Sequence, residues 1–247
     1  FTVHAPIRNF SDEKKREHLD KIAGKSSAEI KYFEADLLNF GSYKEAMEGC
    51  QLVFHTASPF FLDAKDAQKE LIEPALEGTK NILNSVNETE SVKRVVLTSS
   101  VAAIYGDTID SKMVTDGIFD ETMWNTTSSP EAGEYSYSKT VAEKEAWKIC
   151  GKQKRWDLVT INPSFVVGPA LNPKANFESK KIILQMGNGD LKMGAPDITI
   201  GMVDVRDVGE AHFNAGLNPK ANGRYILSSQ SIDLLKIGEY LREKYGD

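Results

Sequence analysis

The segment Glu-Tyr-Ser-Tyr-Ser-Lys-Thr-Val-Ala-Glu, residues 134 to 143, places Tyr135 four residues before Lys139. On a helix that spacing puts both side chains on one face. A phenol beside an ammonium is expected to ionise more readily, because the positive charge favours phenolate. The pair would then be a proton donor usable near neutral pH, as reduction of a carbonyl requires. Tyr137 has no lysine four residues on and is set aside. Upstream, Ser100 ends the run Val-Val-Leu-Thr-Ser-Ser, where its hydroxyl could hydrogen bond a substrate carbonyl oxygen. Downstream stands Asn-Pro-Ser-Phe-Val-Val-Gly-Pro, residues 162 to 169. A Tyr-x-x-x-Lys pair alone is as easily an exposed helix face. Three such segments in this order are far more specific.

The elements that must position these residues alternate. Thr2 to Ile7, Glu29 to Ala35, Gln51 to Ala57, Val92 to Thr98 and Trp156 to Asn162 read as strands. Between them lie helical stretches: one capped by Ser11 and ending near Gly24, one with Ser42 and Glu45 as a capping box, one from Ala67 to Val86, and one from Glu134 to Cys150. Strands alternating with helices predict an α/β fold, a doubly wound parallel sheet with helices on both faces. Sites in such sheets lie beyond the carboxyl ends of the strands. Arg8, Asp36, Ser58, Ser100 and Ser164 each follow a strand. After Pro163 glycine and proline recur, with helices expected over Asn176 to Met186, Asp207 to Gly216 and Ile232 to Tyr245 and a strand over Arg224 to Ser228. The division expected is a dinucleotide-binding domain over residues 1–163 and a smaller, interleaved substrate-binding lobe over 164–247.

The 247 residues carry a formal net charge of −6, which argues against a nucleic-acid partner. The two cysteines, Cys50 and Cys150, have no metal-ligand spacing, so no metal is expected and reduced thiols are, in keeping with a cytoplasmic setting. No apolar run approaches the ~18 residues of a membrane span, and no signal peptide is read at Phe1.

The stretches Val3-His-Ala-Pro-Ile-Arg8, Phe33-Glu-Ala-Asp-Leu37, Val53-Phe-His-Thr-Ala-Ser-Pro-Phe60, Val95 to Ser100, Tyr135 to Trp147, Asn162 to Pro169 and Val203 to Val208 together resemble the extended short-chain dehydrogenase/reductases. More narrowly, the chain is similar to the dihydroflavonol reductase, cinnamoyl-CoA reductase and methylglyoxal reductase group. The resemblance implies a Rossmann-type fold, a monomer or homodimer, and NADPH-dependent reduction of an aldehyde or ketone. It implies Ser100, Tyr135 and Lys139 as the catalytic set. It puts Arg8 at the ribose 2′-phosphate with Lys15 assisting, which suits the pairing of guanidinium with phosphate. Asp36 and Leu37 would flank the adenine, and Thr56, Ala57 and Ser58 would line the cofactor. Pro163, Ser164 and Val166 would meet the nicotinamide end, with Lys139 on the ribose. Phe60 and Tyr105 would face the substrate. The charges of Val203 to Val208 are expected to tie the lobes together, and His212 to be a packed helix residue.

The family also has a strand and a Gly-x-x-Gly-x-x-Gly loop ahead of the segment at Thr2, and more of the second lobe at the other end. Neither is among these residues, so a fragment is the expectation. Two other readings share the fold. One is an NAD-dependent sugar-nucleotide epimerase or dehydratase, or a sterol dehydrogenase. The other is a dinucleotide-binding protein without catalysis, disfavoured by the presence of both Tyr135 and Lys139.

Overall fold

A computed structural model describes residues 1–13, 16–58, 65–172, 174–175, 177–188 and 198–246. Lys15 and Phe60 lie outside the described residues.

Four parallel strands form the main sheet: β3 (Leu52–His55), β4 (Arg94–Thr98), β5 (Asp157–Pro163) and β8 (Gly223–Leu227), in the order β3-β4-β5-β8. A separate parallel pair joins β1 (Thr2–Ile7) to β2 (Glu29–Glu34). A third sheet holds β6 (Phe165–Val167), β7 (Thr199–Asp204) and β9 (Gln230–Asp233), with β7 and β9 antiparallel.

The β-branched run of β4 is buried on both faces, as a strand inside a parallel sheet must be. Val95 and Leu97 pack with Ile82, Leu83 and Val86 of α3 (Glu73–Glu88) and Ala146 and Ile149 of α4 (Glu134–Cys150). The alternate residue, Val96, packs on the other face with Val159 and Ile161 of β5 and Ala215 of α6 (Val205–Leu217). Helices therefore cover both faces, as the alternation of elements predicts. Pro74 sits in the first turn of α3, where its missing N–H costs nothing, and a π-helical turn over Gln68–Ile72 leads into it.

Three local readings are corrected. Helix α1 spans Glu17–Ala23, beginning well after Ser11, whose hydroxyl instead donates to Asn9 Oδ1 at 2.7 Å. Helix α2 (Lys44–Met47) has no side-chain cap: the Ser42 hydroxyl donates to the Asp36 carbonyl at 2.9 Å and closes the turn after β2. The last helix, α7, spans Leu234–Tyr245, because the residues before it form β9 against β7. Helix α5 (Glu178–Gly187) packs against α7 through Ile183 and Met186. The second half of the chain is interleaved with the first, since β8 completes the main sheet beside β5.

Candidate functional site

Because β3, β4 and β5 run parallel, the residues that follow them collect at one edge. Ser99 donates its amide to the Ile161 carbonyl at 2.8 Å, which fixes the end of β4 against β5. Ser100 then caps a short 3-10 turn over Val101–Ala103, its oxygen accepting the Ala102 amide at 3.1 Å. That leaves its O–H free to serve another oxygen, and it hydrogen bonds with Tyr135.

Tyr135 and Lys139 come from the first turns of α4. The helix is entered through Gly133, whose φ of +74° is a left-handed conformation that a side chain would strain. Lys139 Nζ lies 5.7 Å from the centroid of the Tyr135 ring, within reach of a cation–π contact. Ser100, Tyr135 and Lys139 are thus brought together from two elements.

The expected direction of the tyrosine titration is overturned. Burial pushes the Tyr135 phenol up to about 12, opposed by the Ser100 hydroxyl. Burial likewise draws Lys139 down to about 8, opposed by the Glu143 carboxylate. Both groups lose water on packing, and that cost outweighs the help each gets from its partner, Ser100 for the phenol and Glu143 for the amine. At neutral pH the phenol is therefore protonated and the amine charged, the forms in which one can give up a proton and the other can hold an anion or a hydroxyl.

A narrow cavity lies against Lys139, lined also by His55, Ser58, Thr98, Ser99 and Glu143 among others. His55, fully buried at the end of β3, has neither ring nitrogen hydrogen bonded, and burial beside Lys139 drives its pKa down to about 3. Ala57, from the same strand end, lines this cavity too, whereas Thr56 is exposed. At the end of β5, Pro163 and Ser164 are buried and Val166 half-buried. The Ser164 hydroxyl is buried with no partner.

In the separate two-stranded sheet, Arg8 follows β1 and Asp36 follows β2. Their side chains meet at 3.4 Å, with Arg8 79% exposed. Asp36 closes an Asx turn onto the Leu38 amide at 2.8 Å. The wholly buried Asn81 amide donates to the Leu37 and Asn39 carbonyls at 3.0 and 2.9 Å and so holds this loop. Gly78 lets α3 approach: a Cβ there would stand 2.4 Å from Leu37 Cγ. Neither Gly78 nor Asn81 was found from the sequence, although both sit one turn apart on the face of α3 toward Asp36 and Leu37.

Tyr105, after Ser100, stacks on Phe119 with ring centroids 4.4 Å apart, which accounts for its half-burial. Two further readings are settled. His212 is a packed helix residue, bonded to Thr98 Oγ1 at 2.6 Å and to the Val208 carbonyl at 2.7 Å. Asp204 caps α6 and pairs with Arg206 within the same turn, at 2.6 Å, so its charge is spent locally instead of tying lobes together.

Among the described residues no helix is long and apolar enough to cross a membrane. The sequence profile of the 3-beta hydroxysteroid dehydrogenase/isomerase family matches residues 4–224. Cinnamoyl-CoA reductase CAD2 of Medicago truncatula is 43% identical over 248 residues, covering 99% of this chain and 74% of that protein. Tetraketide alpha-pyrone reductase 1 of Arabidopsis thaliana is 36% identical, with 99% and 74% covered. Among solved structures, yeast methylglyoxal/isovaleraldehyde reductase Gre2 complexed with NADPH superposes with a TM-score of 0.83 at 27% identity, over 97% of this chain and 74% of that one. The chain belongs to the 3-beta hydroxysteroid dehydrogenase/isomerase family of extended short-chain dehydrogenase/reductases, and is an oxidoreductase.

Proposed function

We propose that this protein reduces an aldehyde or ketone to an alcohol, with NADPH as the reductant. The observation that carries the reading is the meeting of Ser100, Tyr135 and Lys139 at the carboxyl edge of a parallel sheet. The candidate cofactor residues suit a phosphorylated dinucleotide. They include an exposed guanidinium, Arg8. They also include a buried ammonium and the partnerless Ser164 hydroxyl. The identities to reductases, and the NADPH bound by the yeast neighbour, point the same way.

Arg8, with Lys15, would take the 2′-phosphate, and Asp36 and Leu37 the adenine. Thr56, Ala57 and Ser58 would line the middle of the cofactor. Pro163, Ser164 and Val166 would hold the nicotinamide end. Held by these residues, NADPH would be the source of the hydride that reduces the carbonyl carbon. The Tyr135 hydroxyl gives its proton to the carbonyl oxygen as negative charge develops there, and the Ser100 hydroxyl steadies the same oxygen. The Lys139 ammonium holds the ribose hydroxyls and makes loss of the phenolic proton less costly. Residues 164–247 would contribute most of the carbonyl pocket, with Phe60 and Tyr105 at its rim.

The test is NADPH consumption with a panel of aldehydes and ketones. Tyr135→Phe is expected to lose about 100-fold or more of the turnover while keeping its melting temperature. A Tyr135→Phe protein as active as the parent overturns the reading.

A further inference from the structure

Glu143 lies on α4 one turn beyond Lys139, and its side chain has no exposed surface. Both carboxylate oxygens accept hydrogen bonds. Arg224 Nε donates at 2.6 Å, Asn162 Nδ2 at 2.8 Å, Ser99 Oγ at 2.5 Å, Trp147 Nε1 at 3.2 Å and Thr160 Oγ1 at 3.3 Å. The donors come from β4, β5, β8 and α4 itself. The Asn162 amide also donates to the Ser100 carbonyl at 3.0 Å, so one side chain links the Glu143 carboxylate to the backbone of Ser100.

Arg224 is as tightly held. It stacks over Trp124 at 3.8 Å from the ring centroid. It donates to the carbonyls of Glu121 at 3.0 Å and Ala103 at 3.3 Å, and to that of Met123. A buried ion pair seldom repays its own desolvation, so stability alone is a weak reason to keep one. This pair joins the helix bearing Tyr135 and Lys139 to β8, while Asn162 and Ser99 tie the same Glu143 carboxylate to the strand end bearing Ser100.

We propose that Glu143, clamped by Arg224, is a positioning residue for the reduction: it fixes the Ser100 strand end against α4 and keeps an anion beside the Lys139 ammonium. This rests on the reductase reading above. Among the described residues, the polar groups that line the cavity with Lys139 are Glu143 from α4, the neutral His55 from β3, and the uncharged Ser58 after β3, Thr79 from α3, Thr98 at the end of β4 and Ser99 after it, with the Tyr135 ring 5.7 Å from the amine. Glu143 is the anion of that set. Burial already draws the Lys139 amine down to about 8, and Glu143 resists it. Without that carboxylate the amine would hold its proton less tightly.

The experiment is an NMR titration of the protein carrying isotope-labelled lysine, with the Lys139 signal assigned by its disappearance in Lys139→Met. In Glu143→Gln the Lys139 midpoint is expected to fall by about one pH unit or more. In Glu143→Asp, which shortens the arm and keeps the charge, it should move much less. If Glu143→Gln fails to fold with Arg224 left unpaired, Glu143→Gln/Arg224→Met removes both charges and should show a smaller fall in the same direction, since loss of the neighbouring guanidinium opposes it. An unchanged midpoint in the folded Gln variant, single or double, overturns the proposal. So does equal movement in the Asp and Gln variants, which would mean packing alone. Because this readout needs no turnover, failure of the reductase reading would appear separately, in Tyr135→Phe.

Discussion

Tyr135 and Lys139 show how two effects of opposite sign compete at one side chain. A hydrogen-bond donor such as Ser100 favours the phenolate and an anion such as Glu143 favours the ammonium, while loss of water opposes every charge. Here water loss wins at both side chains, leaving Lys139 charged at neutral pH only against a cost. That cost has a sign that can be worked out. The folded amine loses its proton near 8 and the unfolded one near 10.5, so between those values the unfolded chain binds more protons. Stability therefore rises with pH across that window, and the full penalty applies below it. Lys139→Met keeps the packing and removes the charge. It is expected to stabilise the protein at pH 7 by about 3 kcal/mol while abolishing turnover. The gap in melting temperature between variant and parent should close as pH approaches 10. A gap independent of pH would show that the lysine charge carries no such burial cost.

At the scale of elements, the turn after β2, proposed above to meet the adenine, depends on how closely α3 approaches it. Asn81 and Gly78 on that helix secure Asp36 and Leu37, one by donating to backbone carbonyls and one by having no side chain. Gly78→Ala would drive a methyl into Leu37. Helix propensity favours alanine by about 1 kcal/mol, but overpacking costs about 1–3 kcal/mol. The variant is therefore expected to be less stable and to bind NADPH more weakly, with turnover at saturating cofactor little changed. Thermal melting and a KM measurement for NADPH check this. A more stable Gly78→Ala with unaltered KM would mean that Leu37 gives way to the methyl at no cost. Helix α4 shows the complementary case. Its entry through a left-handed Gly133 and its i, i+4 register are local, and together they deliver Tyr135 and Lys139 to one place.

Over the whole molecule, the division at Pro163 does not separate two independent cores. Strand β8 pairs with β5, and Ala215 and Ala221 complete the packing on Val96, Val159 and Ile161. Arg224 of that strand reaches 81 residues back to Glu143. A fragment ending at residue 163 would expose one face of the main sheet and leave Glu143 buried without its cation. It is expected to show no cooperative thermal transition by circular dichroism. A fragment that melts as sharply as the parent would contradict the interleaving. The proposal that residues 164–247 shape the carbonyl pocket refers to where substrate is held, not to a unit that folds alone.

The sequence by itself determined the alternation of strands and helices, the Tyr135–Lys139 register, and the placing of Arg8, Asp36, Ser100 and Ser164 each just after the end of a parallel strand. Those features follow from periodicity, from the reach of one helical turn, and from the direction of parallel strands, all of which act over a few residues. Helix starts at Ser11 and Ser42 were misread because a hydroxyl serves a turn as readily as a helix end, and only the neighbouring chain selects between them. Tertiary structure alone decided the direction of the Tyr135 titration, the partnerless His55, and the Glu143–Arg224 pair. Each depends on which distant segments exclude water from a side chain and which supply it a partner, and neither quantity is written in the local pattern.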